Sequence, residues 1–195
     1  MLEQKARKYY QSVLVEPILT IIPQSISPLH ITLLSAVIGL AFIPALLFNQ
    51  SLIAIIILLL SGYLDTVDGS LARARKQCSN FGSVMDIMAD RIVECAVILA
   101  FFLRAPAVDG PWVIAMLISS LLCITSFLVV GIFEQNESHK SFHYSPGLIE
   151  RAEAFIFFIL MTLFPNSFVF FAALYSVLVF YTAYTRIKEF YQSSI

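Results

Sequence analysis

The sequence predicts an all-α integral membrane protein, with six transmembrane helices behind an N-terminal juxtamembrane amphipathic helix. Three observations predict it. Hydrophobic residues make up 59% of the 195 positions and charged residues only 13%, about half the roughly 25% that a soluble domain carries. Six apolar segments alternate with short polar connections. At about 20 residues per span, the length accommodates six helices and no separate soluble domain, so residues 1–195 read as one membrane domain. Finally, the basic residues gather on alternate connections.

The elements follow in order. Residues 1–27 form the interfacial segment. From Leu2 to Ile22, Leu2, Ala6, Tyr9, Tyr10, Val13, Leu14 and Ile18 recur near helical spacing, with Lys5, Arg7 and Lys8 at the start. That pattern suits a helix lying in the headgroup plane. The bundle occupies residues 28–190. Its apolar segments are Leu29–Phe48, Ser51–Leu64, Val84–Leu103, Trp112–Phe133, Ala152–Phe164 and Phe168–Tyr184. Three of them reach across the hydrocarbon layer only if their helices continue through polar turns. Asn49-Gln50, the stretch 104–111 and Pro165-Asn166 mark tight turns.

Charge fixes an expected orientation. Lys5, Arg7, Lys8, Arg73, Arg75, Lys76, Lys140, Arg151, Arg186 and Lys188 all fall on one side of an alternating layout. The other side keeps only Arg104, and Arg91 is intramembrane. By the positive-inside rule both termini are cytoplasmic, in a bacterial inner membrane rather than an organelle membrane. The net charge of −1 gives no electrostatic footprint for nucleic acid. Cys78, Cys95 and Cys123 show no CxxC spacing and read as free thiols.

The chemistry lies between the second and third segments. Asp65 and Asp68 are three apart, and Asp86 and Asp90 are four apart, so on helices each pair shares a face. The connection between them lets two helices run antiparallel with the carboxylates facing one another. Each buried charge without a partner costs several kcal/mol. Arg73, Arg75, Lys76 and Arg91 could offset part of that cost, and divalent cations would offset it better. Oxygen ligands favour a hard ion such as Mg²⁺ or Mn²⁺. Four facing carboxylates suit two ions about 3.5–4 Å apart, the arrangement used in phosphoryl displacement. Gly69 is expected to end the second helix and let backbone approach a ligand. Ala72 and Gly82 keep the faces bare, and Arg73 is within reach of a phosphate oxygen.

This stretch resembles the CDP-alcohol phosphatidyltransferase family, whose motif D-x2-D-G-x2-A-R-x8-G-x3-D-x3-D is met at Asp65, Asp68, Gly69, Ala72, Arg73, Gly82, Asp86 and Asp90. The preceding Ser27-Pro28-Leu29-His30-Ile31-Thr32 is similar to the family's P-x-x-(I/V)-T segment. The resemblance implies two divalent ions, Mg²⁺ or Mn²⁺, held by Asp65, Asp68 and Asp86 with Asp90 beside them. It implies that Asp90 is also the general base on the acceptor hydroxyl. Gly69, Ala72, Arg73 and Gly82 would shape the CDP site. The implied reaction moves a phosphatidyl group from CDP-diacylglycerol to a small polar alcohol and releases CMP. A homodimer is implied as well.

The acceptor is less legible. Pro146-Gly147-Leu148-Ile149-Glu150-Arg151-Ala152-Glu153-Ala154 resembles the G-x-I-E-R-x-E-R segment of phosphatidylinositol-phosphate synthases, with the second arginine replaced by Ala154. That branch also carries a Lys and an Arg near the end of its fourth span, where an ungapped reading finds Val129 and Gly131. A phosphorylated acceptor wants about two or three cations. Either the acceptor lacks a phosphate, or Arg151, Lys140 and His139 supply the site differently. The balance favours an unphosphorylated polyol or amino alcohol such as inositol or serine. The alternative is inositol phosphate or glycerol 3-phosphate.

Two other classes compete. A membrane prenyltransferase needs a second aspartate-rich motif, yet after Asp90 the sole aspartate is Asp109. A divalent-cation transporter would use the same carboxylates as its ion site, but it predicts an internal repeat, and none is visible.

Overall fold

The computed structural model describes residues 11–133 and 151–193. Every regular element among them is helical. A π-helical turn, Gln11–Val15, leads into α1 (Glu16–Ile21). There follow α2 (Pro28–Leu40), α3 (Phe42–Leu47), α4 (Ser51–Ala74), α5 (Asn80–Arg104), α6 (Pro106–Phe133), α7 (Arg151–Leu163) and α8 (Phe168–Ser193). The stretches Pro28–Leu47, Ser51–Ala74, Pro106–Phe133 and Pro165–Gln192 are each long and apolar enough to cross a bilayer. The protein is thus an all-helical integral membrane protein.

The residues divide into two compact units. The first comprises Met1–Ile43 and Leu52–Ala96. Within it α2 starts at Pro28, whose fixed φ suits a first helical turn. Ser27 precedes it as N-cap. Its backbone N–H donates to His30 Nδ1 (3.1 Å), and its hydroxyl lies 2.7 Å from the same nitrogen. His30 thus reaches back to the N-cap backbone and closes a capping box with Ser27. Further along, Ser35 Oγ donates to the Ser61 carbonyl (2.9 Å) and Ser61 Oγ to the Ser35 carbonyl (3.0 Å). Small polar residues of this kind let backbones approach in lipid. A Cβ on Gly39 would come within 2.5 Å of Val93 Cγ2, so this glycine sets the closeness of α2 and α5.

The helix α4 does not stop at Gly69. It runs on to Ala74, because one interior glycine costs only about 1 kcal/mol and Val67 and Leu71 remain buried on one face. The stop comes at Lys76, which takes φ 54°. Lys76 N–H bonds the Arg73 carbonyl (3.2 Å) and Gln77 N–H the Ala72 carbonyl (2.8 Å), the paired pattern of a Schellman cap. Ser79 then caps α5 by accepting the Gly82 N–H (3.0 Å).

The N-terminal segment is helical over its described part, but its inward face differs from the expected one. Val13, Leu14 and Ile18 are exposed, whereas Val15 is fully buried and joins Ile31, Val67 and Leu71, flanked by Leu19 and Ile22. Residues 13–22 are apolar around most of the helix, so spacing could not choose between two faces. Tyr63 OH secures the segment by donating to the Leu14 carbonyl (2.6 Å).

The second unit comprises Pro44–Ser51 and Val97–Ile195. Its core holds Phe101, Met116, Phe158, Met161, Phe168 and Tyr175, all essentially inaccessible. Ser120 Oγ meets Tyr175 OH at 2.9 Å across α6 and α8. The expected turn over 104–111 shrinks to Ala105 alone, because Pro106 opens α6, a position where its missing N–H is harmless. Arg104 pairs with Asp109 (3.0 Å), and its guanidinium lies 5.5 Å and 5.4 Å from the Phe101 and Phe168 ring centres. Arg186 is buried on α8. It lies 5.3 Å from the Phe127 ring and donates to the Cys123 carbonyl (3.1 Å) and Ser126 Oγ (3.3 Å) of α6.

Candidate functional site

The site belongs to the first unit and is made by the α4–α5 hairpin. Asp68 lies six residues before the end of α4, and Asp86 six residues after the start of α5. A chain that folds back over the short link 75–79 brings them level. One carboxylate oxygen from each of Asp65, Asp68 and Asp86 lies within 4.8 Å of the other two. Asp90 stands one turn further along α5 and is outside that group. Asp68 is 3% exposed, and the others are half-buried.

The nearby cations are directed elsewhere. Arg91 pairs with Glu94, Arg75 donates to backbone carbonyls, and Arg73 Nη2 donates to Ser70 Oγ (3.0 Å). Thr32 of α2 reaches the Asp68 carboxyl. The buried Oδ2 of Asp68 meets no hydrogen-bond donor among the described residues. A buried carboxylate oxygen of this kind is costly unless something positive sits against it. Three converging oxygens with no sulfur or nitrogen suit a hard divalent ion, so the residues fit such a group.

Above these carboxylates opens a cavity of about 390 Å³. Gly69, Ala72, Arg73 and Gly82, the four residues expected there, all line it, together with Asp68 and Asp86. A Cβ on Gly69 would meet nothing nearer than the Arg73 guanidinium at 3.4 Å. Packing within the protein therefore does not require glycine there, and its bareness serves the cavity. At Gly82 a Cβ would come within 3.2 Å of the Ser79 capping hydroxyl. The far wall is Ser27, Pro28, Leu29 and Thr32. Spacing along the chain assigns these residues no role, because their proximity to the aspartates is a tertiary contact.

Of the three acceptor candidates, Arg151 lies among the described residues. Arg151 opens α7 in the second unit, its guanidinium 5.3 Å from the Phe155 ring centre. Lys140 and His139 lie outside the described residues. Val129 and Gly131 are on α6 as expected, the first exposed and the second buried, and Ala154 is buried on α7.

The family model for CDP-alcohol phosphatidyltransferase matches residues 25–186. The chain belongs to the CDP-alcohol phosphatidyltransferase family. Its members are transferases of substituted phosphate groups, so the aspartate hairpin is part of an enzyme of phospholipid biosynthesis, and the prenyltransferase and transporter readings fall away. Among relatives, the inner membrane protein YnjF of Escherichia coli is 32% identical over 85% of this chain and 84% of its own length. The phosphatidylinositol phosphate synthase of Corynebacterium glutamicum is 30% identical over 80% of this chain and 71% of its own. Two crystal structures of Mycobacterium tuberculosis phosphatidylinositol phosphate synthase share the fold. One, with CDP-DAG bound, superposes with a TM-score of 0.77 at 20% identity over 91% of this chain and 94% of that one. The other, in complex with manganese and citrate, gives 0.72 at 20% identity over 91% and 87%.

Proposed function

We propose that this enzyme transfers the phosphatidyl group of CDP-diacylglycerol to the hydroxyl of a small polar alcohol and releases CMP. One observation carries the proposal: three carboxylates converge against a cavity whose walls are kept bare by Gly69, Ala72 and Gly82. The CDP-DAG and the manganese seen in the mycobacterial structures support it.

In this reading Asp65, Asp68, Asp86 and Asp90 hold two divalent ions. When bound, the ions neutralise the diphosphate and stabilise the departing CMP. The chain's own groups do the rest. Gly69, Ala72 and Gly82 admit the flat CDP group, and Arg73, exposed at the rim, donates to a diphosphate oxygen. Asp90 accepts the proton of the attacking hydroxyl, a contribution worth about 10²–10⁴-fold. A bond forms between the acceptor oxygen and the phosphorus that carries the lipid, and the bond from that phosphorus to CMP breaks.

For the acceptor we favour an unphosphorylated polyol or amino alcohol such as inositol or serine, because Val129, Gly131 and Ala154 stand where cations would serve a phosphate. Arg151, Lys140 and His139 are the residues assigned to its pocket. The names of the Corynebacterium and mycobacterial relatives, phosphatidylinositol phosphate synthases, favour inositol phosphate as a second reading. The layout we assign has six crossings in one domain, with α5 and α7 joining the four apolar stretches. α5 is 25 residues long, but Asp86, Asp90, Arg91 and Glu94 interrupt its apolar run. The segment α1 lies in the interface, both termini face the cytoplasm, and two copies form a homodimer.

The test is CMP release by the purified protein with CDP-diacylglycerol and Mg²⁺ or Mn²⁺, against serine, inositol, inositol phosphate and glycerol 3-phosphate. Release with inositol or serine alone supports the favoured acceptor, release with inositol phosphate supports the second, and release with none overturns the donor assignment.

A further inference from the structure

Arg75 ties the hairpin to the loop that leads into the opposite wall of the cavity. Arg75 follows directly on α4, between Arg73 and Gln77, which line the cavity rim. Its own guanidinium turns away from the cavity. Nη1 donates to the Ile26 carbonyl (2.6 Å), and Nη2 donates to the carbonyls of Ile22 (2.7 Å) and Pro23 (3.1 Å). Ile22 caps the C-terminal end of α1, where unsatisfied carbonyls attract a cation. Ile26 N–H closes a turn onto the Pro23 carbonyl (3.1 Å), so the fork grips both ends of one loop. The next residue is Ser27, and from there Ser27, Pro28, Leu29 and Thr32 form the opposite wall. Among the described residues no carboxylate pairs with Arg75.

We propose that Arg75 is a positioning residue for the donor site: it fixes the loop 22–26 and thereby sets where the Ser27–Thr32 wall stands against the hairpin. The geometry needs arginine. A planar fork spans three separate carbonyls, whereas a lysine ammonium is a point donor on a flexible stem. The inference rests on the cavity being the CDP site.

The test measures CMP binding by the full-length protein in detergent with MnCl₂, using titration calorimetry, for wild type, Arg75→Met and Arg75→Lys. Wild type binds CMP; if it does not, the donor-site reading fails and the role of Arg75 fails with it. Arg75→Met raises the CMP Kd about tenfold, a loss equivalent to one charge-assisted contact, with the binding stoichiometry unchanged. Arg75→Lys recovers only part of the affinity. A variant that merely unfolds in part shows reduced stoichiometry and an unchanged Kd, and that result overturns the proposal. Full recovery by lysine overturns it too, since it means that charge alone acts on the phosphate. Should Arg75→Met fail to fold, Arg75→Lys decides: a Kd equal to wild type refutes the positioning role.

Discussion

Asp68→Asn separates the cost of the aspartate cluster from its use. Asp68 is 3% exposed, and its carboxylate has two like-charged neighbours within 4.8 Å. At that 4.8 Å limit and an effective dielectric near 20, each repulsion amounts to about 3.5 kcal/mol. Asparagine keeps the shape and keeps an oxygen for Thr32, but removes the charge. Relief of one neighbour's worth, about 3.5 kcal/mol, raises the melting temperature of a chain this size by roughly 7–14 °C. Without divalent ions, then, Asp68→Asn melts higher than wild type. With them the order reverses. Two ions, each at 100 times its Kd, contribute about 2.7 kcal/mol apiece to wild type, about 5.4 kcal/mol together, which exceeds the relief of about 3.5 kcal/mol, whereas the variant gains far less and is inactive. The assay is thermal unfolding in detergent, with EDTA and with a Mn²⁺ titration, beside CMP release. A variant that melts lower than wild type in EDTA, or that keeps the full metal-induced shift, refutes the reasoning.

Other outcomes follow from the same geometry. Asp90→Asn abolishes turnover by at least about 10²-fold while CMP binding persists, as read by single-turnover kinetics and calorimetry. Gly69→Ala leaves the melting temperature unchanged or slightly higher, since alanine is the better helix former by about 1 kcal/mol, yet raises the donor KM by narrowing the cavity. Gly39→Ala destabilises by about 1–3 kcal/mol through overpacking, and Val93→Ala in the same chain restores part of the loss in a double-mutant cycle.

Much of the architecture was legible. Phe133 closes α6 and Phe168 opens α8, as expected from where apolar runs meet polar punctuation. The aspartate spacing was enough to bring Asp65, Asp68 and Asp86 together, because helical periodicity and a short link leave few alternatives. The errors share a cause. A proline at the start of a helix looks the same in sequence as one that ends it, so Pro106 was read into a turn. Gly69 was read as a stop, but the cap that ends α4 is formed by backbone around Lys76. Arg91 was enlisted to balance the aspartates, whereas Glu94 at i+3 takes it. Arg186 was counted only as a flanking charge, and it turns inward to α6. For these arginines, spacing allows several partners and tertiary packing chooses one.

The central claim is that carboxylates from α4 and α5 grip divalent ions that hold a nucleotide-linked lipid. Its most direct test is CMP release from CDP-diacylglycerol by protein stripped with EDTA, as Mn²⁺ is added back in the presence of the acceptor panel. Release that is absent without metal, saturates with added Mn²⁺ and is lost in Asp65→Asn and Asp86→Asn is the predicted result. Release at the full rate by the stripped protein contradicts the account.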